Sequence, residues 1–430
     1  MVWKKYCSRV EKTLVYLLIL LFPTQLAYHF WPPFSFVNGL RVDYLSPAVY
    51  LTDILIVMLT PFIVFQIGNL VKTKKVSFLK KRKVIIIVCA LFVFVLANVY
   101  LSSEPTQSVL KWLALGKFSI LLLYILLKKQ SEIIKPLQVA LYVSVLAFSL
   151  IGIWQFIINR TVGGALYYLG ERSFSVSTPG IALITLGGKS FIRAYSTFSH
   201  PNSMAGFLVV GLVLFFHLNK ISKLFKTKGI VVLLCTGALA FVLTFSLSAC
   251  IGLALLLIFF VVQKKSTLLY RRLLLLFLIS LIVLSFLIPV YLKDYKRQEL
   301  SERVSSRLEL ADVSLVVLSK NPFVGVGLNN FIRVASQVRH LNKASYLQPV
   351  HNIFLLASSE SGIIGLLFVY FLFLSAINKS SKNYLSLGLL FILITGFFDH
   401  YWFTLQQNLL LLSFYLGMVF KDSVSVKLRE

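Results

Sequence analysis

The fold is decided by residues 230–263, which read IVVLLCTGALAFVLTFSLSACIGLALLLIFFVVQ and contain no charged side chain. About 20 apolar residues are enough to cross the hydrocarbon core of a bilayer. A single helix of this length would therefore be too long for one crossing at ordinary tilt. The polar Ser246-Leu-Ser248 near the middle predicts a tight turn between two short spans, 230–246 and 249–263.

The composition of the whole chain supports a membrane protein. Of its 430 residues, 58% are hydrophobic and only 13% are charged. An average soluble domain has about 25% charged residues, so a soluble enzyme, a disordered protein and a fibrous repeat are excluded. The four cysteines form no CxxC pair, so neither a disulfide framework nor a zinc motif is predicted.

Apolar runs of suitable length predict an all-α polytopic membrane protein with about twelve transmembrane helices. The predicted spans are 13–31, 48–69, 84–101, 109–127, 137–158, 202–219, 230–246, 249–263, 273–291, 351–376, 384–403 and 405–420. With both termini in the cytoplasm, every predicted inner segment carries at least two Lys or Arg residues. This matches the positive-inside rule, under which cytoplasmic loops are rich in basic residues.

Most of the net charge of +28 is explained by this topology. Basic side chains on the inner face also contact lipid headgroups, so nucleic acid is not expected as a partner. The chain is predicted to be one integral membrane domain, residues 1–430. Two outer loops are long: residues 159–201, and residues 292–350 between spans nine and ten.

The first long loop ends in Arg193…His200-Pro201-Asn202, just before the sixth span. Proline suits the first turn of a helix, and His200 or Ser199 could cap it. An arginine at a span end commonly anchors lipid phosphate. From this segment alone, a helix-start motif and a functional site both remain open.

The second long loop contains a predicted amphipathic helix over residues 302–319, which Asn321-Pro322 terminates. Val304, Leu308, Ala311, Leu315 and Leu318 would form its apolar stripe. Its polar side carries Arg303 and Arg307. The following Gly325-Val-Gly327 lacks the third glycine of a dinucleotide fingerprint, and tight backbone turns are the better interpretation.

The loop closes with His351-Asn352 at the start of the tenth span, which also contains Glu360 and the pair Gly362-Ile-Ile-Gly365. A histidine at a span end is often an ordinary interfacial residue. Two glycines at this spacing more often indicate close helix packing than catalysis. No single one of these features establishes a function.

Taken in order, residues 190–206 and 302–365 resemble the O-antigen ligase/polymerase family of bacterial integral membrane glycosyltransferases. The segments that carry the resemblance are Arg193…His200-Pro201-Asn202, Ser306-Arg307-Leu-Glu-Leu, Asn321-Pro322-Phe-Val-Gly325-Val-Gly327-Leu-Asn-Asn-Phe331, His351-Asn352 and Glu360-Ser-Gly362-Ile-Ile-Gly365. A twelve-span plan with one large outer loop late in the chain is also similar to that family.

The resemblance implies glycosyl transfer, without metal or cofactor, on the outer face of the bacterial plasma (inner) membrane. The donor would be a glycan linked through diphosphate to a polyprenyl lipid, and the acceptor a sugar hydroxyl on a lipid or on another glycan, as in lipopolysaccharide synthesis. Arg193 and Arg307 match positions for the diphosphate, which suits planar bidentate guanidinium groups. His351 matches the family's position for the general base, which would accept the proton of the acceptor hydroxyl.

Further substrate contacts are expected, by the same resemblance, from Arg303, His200, Asn202, Asn352 and Glu360. A ligase and a polymerase would share the donor and differ in the acceptor, which the sequence does not indicate. A transporter is the alternative from another class. Transporters carry ionisable residues at mid-membrane, and the spans hold few, chiefly Asp53, Glu360 and Lys117.

Overall fold

A computed structural model describes residues 2–72, 82–292, 302–338, 346–380 and 383–427. The chain is mostly helical in these ranges. The α-helices are α1 Val2–Leu20, α2 Leu51–Lys72, α3 Arg82–Tyr100, α4 Pro105–Leu127, α5 Gln130–Ile158, α6 Pro201–Ser222, α7 Thr227–Leu243, α8 Leu247–Lys265, α9 Thr267–Tyr291, α10 Glu302–Lys320, α11 Phe331–Val338, α12 Ile353–Ser380, α13 Leu385–Phe398, α14 Tyr401–Thr404 and α15 Gln406–Lys427.

Seven of the described helices are long and apolar enough to cross a membrane, and three shorter helices are also apolar. The polytopic, membrane-embedded helical fold is thus confirmed, whereas the number of twelve spans stays a prediction. The break predicted inside residues 230–263 is confirmed, because α7 ends at Leu243 and α8 begins at Leu247. Phe245 lies between them with a φ of 46°, a left-handed conformation that turns the chain sharply.

Two predicted spans are wrong at their C-terminal ends. The span 13–31 stops early, because α1 ends at Leu20 and residues Ala27–His29 form a strand. The span 384–403 also stops early, because α13 ends at Phe398 and Asp399 follows in an extended conformation. In both cases the predicted apolar run continued across an aromatic-rich turn, because aromatic residues are counted as apolar without requiring a helix.

Helix α13 lies at the centre of the bundle. Every residue from Leu385 to Gly396 is buried, and α13 contacts α6, α8, α9 and α12. A helix that is apolar all round is expected to be enclosed by other helices. The residues that follow α13 therefore emerge at the middle of one end of the bundle.

Short antiparallel strand pairs, not anticipated from the sequence, lie in the segments at that end. The strands are β1 Ala27–His29, β2 Phe36–Val37, β3 Leu40–Arg41, β4 Ala48–Tyr50, β5 Leu183–Leu186 and β6 Lys189–Ile192. β1 pairs with β4, β2 with β3 and β5 with β6. In the β5–β6 hairpin Leu183 lies opposite Ile192, which leads the chain directly into Arg193.

The large loop between α9 and α12 contains α10, whose end at Lys320 confirms the predicted stop at Asn321-Pro322. The predicted apolar stripe of α10 is correct at Ala311 and Leu315, which lie in or pack against a second apolar core, and wrong at Val304. Val304 is 44% exposed, whereas Leu310, Val313 and Val317 are buried against the segment Val37–Leu45 and α11. Because this second core also encloses Ser306 and Asp312, side-chain hydrophobicity alone did not identify the buried face.

The segment between α10 and α11 docks onto a break in α12. Gly362 has a φ of 65° and interrupts the helix. The Val326 amide donates to the Ser359 carbonyl at 3.0 Å, and the Ile363 amide donates to the Pro322 carbonyl at 2.8 Å. A side chain at Gly362 would collide with the Phe323 carbonyl. The tight turns predicted at Gly325 and Gly327 are confirmed by their φ values of 69° and 95°, and Gly325 and Gly362 also permit close backbone approach.

Candidate functional site

Three histidines meet at the end of the bundle where α13 terminates, each next to a helix end. His200 precedes α6 and caps it, since its Nδ1 accepts the Asn202 amide at 3.1 Å. His351 lies two residues before α12, and His400 lies directly after Asp399. The imidazole rings of His351 and His400 have their centroids 5.0 Å apart. His200 and His351, which are 151 positions apart in the sequence, are thus brought together by the packing of the helices.

The centre of the group is Asp399, which is only 5% exposed. Its Oδ1 lies 3.3 Å from His351 Nδ1 and accepts the His400 amide at 2.8 Å. Its Oδ2 accepts from Asn202 Nδ2 at 3.0 Å. A buried carboxylate with these donors is well satisfied. The arrangement leaves His351 Nε2 as the ring nitrogen that does not face Asp399.

Arg193 is connected to the same carboxylate through Asn202. Its NH2 group donates to Asn202 Oδ1 at 2.9 Å, and its Nε donates to the Thr244 carbonyl at 2.6 Å. The second bond ties Arg193 to the break between α7 and α8. Arg193, Asn202, Asp399 and His351 consequently form one hydrogen-bonded series, although they come from three separate segments of the chain.

Arg307 approaches the group from α10, and its side chain is exposed. The charge of Arg307 lowers the pKa of both His200 and His400, and the charge of Arg193 also lowers the pKa of His200. The two arginines that the resemblance identified therefore lie at one site, 114 positions apart in sequence. An exposed guanidinium beside a buried polar cluster is available to an anionic ligand.

The electrostatics of the group favour neutral imidazoles at His200 and His400 and a charged carboxylate at Asp399. Burial is the largest influence on His400 and lowers its pKa to about 3, against the opposing effect of the Asp399 charge. Burial likewise lowers the pKa of the partly exposed His200 to about 3. Burial alone would raise the pKa of Asp399. The hydrogen bond to His351 and the nearby histidines instead hold that pKa well below its usual range, so Asp399 is ionised at neutral pH.

The other predicted site residues have different surroundings. Asn352 caps α12, since its Oδ1 accepts the amides of Phe354 and Leu355 at 2.8 and 3.1 Å. Glu360 accepts the Phe331 amide at 3.4 Å and lies in the docked break of α12. Asn202 joins the central group, as described. The side chain of Arg303 lies outside the part of the chain that the structure describes.

Asp399 and His400 were not identified from the sequence. Both fall inside the predicted span 384–403, where an adjacent carboxylate and imidazole interrupt an apolar run. Ionisable residues inside a span mark functional sites by default. The sequence TGFFDHYWF, residues 395–403, contains this signal. It was overlooked because the surrounding residues form a mostly apolar run.

His351, Asp399 and His400 also form a group that could hold a metal ion. One ligand atom from each lies within 4.8 Å of the others. Three protein ligands with one open position are the arrangement found in many catalytic zinc sites. The sequence offered no metal motif here, because the ligands come from two segments.

A large cavity of about 1170 Å³ opens beside the group. Tyr44 and Thr404 line it, and both contact His400: the Tyr44 ring lies 5.4 Å away edge-on, and Thr404 Oγ1 lies 2.7 Å from Nδ1. Arg172, also in the wall, donates to the carbonyl of Ser199 next to His200. The cavity thus reaches the histidines without being lined by them.

Two segments of the chain form much of the cavity wall, and both carry polar as well as apolar residues. Aromatic and polar residues from the segment 25–50 form the upper wall, including the stacked rings of His29 and Trp31. Its lower wall follows α4 from Gln107 to Phe118, a depth of about 16 Å at 1.5 Å per residue. Lys111 and Lys117 face it, and Lys117 is paired with Asp53 at 2.6 Å.

Residues 230–370 match the O-antigen ligase family. This range runs from α7 through most of α12 and includes Arg307 and His351. The match confirms the resemblance noted from the sequence, although Arg193 and Asp399 lie outside it. A comparison with curated proteins finds no significant match.

Proposed function

Because residues 230–370 carry the O-antigen ligase family region, we propose that this chain is a membrane glycosyltransferase. It transfers a glycan from a polyprenyl-diphosphate donor to a sugar hydroxyl on the outer face of the bacterial plasma membrane. Both termini then lie in the cytoplasm, and the end of the bundle with the three histidines faces outward. The acceptor glycan is carried either by a lipid core, as for a ligase, or by a second lipid-linked glycan, as for a polymerase.

The observation that carries this proposal is the contact between His351 Nδ1 and Asp399 Oδ1 at 3.3 Å. With its Nδ1 hydrogen donated to Asp399, His351 presents an unprotonated Nε2. That atom accepts the proton of the acceptor hydroxyl while the hydroxyl oxygen bonds to the anomeric carbon. Asp399 fixes the tautomer and stabilises the imidazolium that forms, as the carboxylate does in hydrolytic triads.

The leaving group is a polyprenyl diphosphate, which departs as the bond between the anomeric carbon and its phosphate oxygen breaks. Arg307 is exposed towards the group and can bind the diphosphate as a planar fork. Arg193 holds Asn202, and through it Asp399, in place. Since the cationic arginines neutralise the developing charge, the reaction is proposed to need no metal. Direct attack at the anomeric carbon inverts its configuration.

The cavity beside His400 suits the acceptor. Drug-sized ligands occupy pockets of about 300–1,000 Å³, so a cavity of about 1170 Å³ accommodates a larger amphiphile. Rings of an acceptor glycan can pack on the aromatic upper wall, and an attached lipid can follow α4 downward. Arg307 does not line this cavity. Because Arg307 is proposed to bind the donor diphosphate, donor and acceptor would lie on opposite sides of the histidines.

The decisive experiment uses the purified protein in liposomes with a radiolabelled polyprenyl-diphosphate glycan. Wild-type protein should release free polyprenyl diphosphate and extend an added acceptor, and His351→Ala should do neither at a comparable rate. A transporter would instead move the intact donor across the bilayer without cleaving it. Movement of uncleaved donor with no release of polyprenyl diphosphate contradicts the proposal.

A further inference from the structure

The hydrogen bonds of His400 leave an acceptor atom facing another acceptor. The Thr404 hydroxyl lies 3.2 Å from the His400 carbonyl and 2.7 Å from His400 Nδ1. In the tautomer in which the hydroxyl donates to the carbonyl, its oxygen accepts the hydrogen on Nδ1, and His400 Nε2 carries a lone pair. Nε2 lies 3.9 Å from Asp399 Oδ1, which is itself an acceptor. Two opposed acceptors at this separation attract a cation.

The geometry around this point suits a tetrahedral transition metal. Zinc bonds of 2.0–2.1 Å to nitrogen or oxygen place neighbouring ligand atoms about 3.3 Å apart. His351 Nδ1 and Asp399 Oδ1 are separated by 3.3 Å, and the three ligand atoms all lie within 4.8 Å of one another. The pair from His351 and Asp399 already has this spacing, and the remaining separations must close by at most about 1.5 Å to complete the three-ligand set.

The surrounding residues already orient the ligands. Thr404 holds His400 through the nitrogen that would not bind metal, and Asn202 holds Asp399 through Oδ2 at 3.0 Å. Such outer hydrogen bonds fix the ring and carboxylate orientation in metal sites, and removing one typically costs 10–100-fold in metal affinity. The side chain of His351 is 15% exposed. A fourth ligand from solvent can therefore reach the metal position.

We infer that His351, Asp399 and His400 form a binding site for a zinc-class divalent metal ion, and that the bound metal inhibits glycosyl transfer. Binding replaces the hydrogen on His351 Nδ1 with the metal. A neutral imidazole keeps one hydrogen, which then resides on Nε2. His351 can no longer accept the proton of a hydroxyl, so metal binding and general-base action exclude each other. The inhibition rests on the proposed function, whereas the binding site does not.

Binding is tested first, on full-length protein in detergent with an affinity tag that contains no histidine. Titration with Zn²⁺ or Co²⁺ alone should give one ion per chain, and Co²⁺ should show the intense visible absorption of a tetrahedral site. His400→Gln should abolish this stoichiometric binding. Thr404→Val removes only the outer hydrogen bond and should weaken binding by about 10–100-fold. His217→Gln, at the distant end of α6, should bind like the wild type.

Activity is then measured in the liposome assay with and without Zn²⁺. Added Zn²⁺ should suppress the release of polyprenyl diphosphate, and a chelator should restore it fully. If no ion binds in a His400-dependent manner while chelated protein transfers glycan, the metal site is wrong and the proposed function stands. If chelated protein is inactive and Zn²⁺ restores transfer, the inhibitory role is wrong, and with it the metal-independent mechanism.

Discussion

His351 Nδ1 lies 3.3 Å from Asp399 Oδ1, although the two residues are 48 positions apart and belong to different helix ends. His351 precedes α12 and Asp399 follows α13, and these two helices pack against each other in the bundle. The pairing gives the candidate base a fixed tautomer.

Replacing Asp399 by Asn should reduce kcat by about 10²–10⁴, the usual contribution of general-base catalysis. The amide presents a donor to His351 and favours the wrong tautomer, as in hydrolytic triads. Because Asp399 acts through His351, the KM for the donor should change little, and the acid limb of the kcat–pH profile, which reports protonation of the base, should be altered. Transfer at the wild-type rate by Asp399→Asn would mean that the contact is only structural.

His351→Ala should insert and fold normally but transfer glycan very slowly, because the base is removed and little core packing is lost. His217→Ala, at the other end of α6, is the matched control and should be nearly as active as the wild type. His200→Ala should have an intermediate effect, since it removes the cap of α6 next to Asn202. If His200→Ala is inactive while His351→Ala is normal, the base must be assigned to His200.

Arg193→Lys and Arg307→Lys should each reduce transfer at least tenfold, because a lysine keeps the charge but loses the planar fork. The two variants should differ in stability. Lysine cannot hold both the Thr244 carbonyl and Asn202, so Arg193→Lys should also lower Tm in detergent. Arg307 is exposed, and its replacement should leave Tm unchanged. Arg303→Lys, one turn earlier on α10, serves as the control and should remain more active than either.

Filling the lower cavity should impair use of the acceptor. Ala114→Trp places an indole in the wall formed by α4 and should raise the KM for a lipid-linked acceptor at least tenfold. Donor binding should be unaffected. Gly116→Trp lies on the same helix, and a side chain there meets open space, so it should behave like the wild type. An equal effect of both substitutions would indicate a general disturbance of α4.

Acidification should destabilise the protein through His400. Its pKa is about 3 in the folded protein and 6.5 in the unfolded chain. Between these values the unfolded chain binds the additional proton, so the free energy of unfolding falls as the pH drops from 6.5 towards 3. The slope from this one group is at most about 1.4 kcal/mol per pH unit. In detergent, Tm should fall less steeply with pH in His400→Gln than in the wild type.

The topology prediction can be checked by cysteine labelling in a background without native cysteines. Lys189 lies in the exposed β5–β6 hairpin, and Lys265 is exposed at the opposite end of α8. Lys189→Cys should react with an impermeant reagent on intact cells, whereas Lys265→Cys should react only after permeabilisation. The reverse pattern would place the histidines in the cytoplasm and remove the access that the proposed reaction needs.

Much of the local structure followed from the sequence. Uncharged runs indicated the helices, polar Ser246 indicated the break between α7 and α8, and Asn321-Pro322 indicated the end of α10. These features depend on residues close together in the chain. The candidate residues Arg193, Arg307 and His351 were identified from the order of short motifs along the chain. No periodicity in the sequence indicated that they would lie close together in the fold.

Only the tertiary structure identified Asp399 and His400 and paired them with His351. The sequence prediction placed both inside the span 384–403, because the residues around them form a mostly apolar run. The buried face of α10 was likewise decided by tertiary packing, since Leu310, Val313 and Val317 are covered by the segment Val37–Leu45 and α11. Sequence alone determines where helices form, because hydrogen bonding within a membrane helix is local. Which helix ends become neighbours depends on how the whole bundle packs, and the candidate site lies where those ends meet.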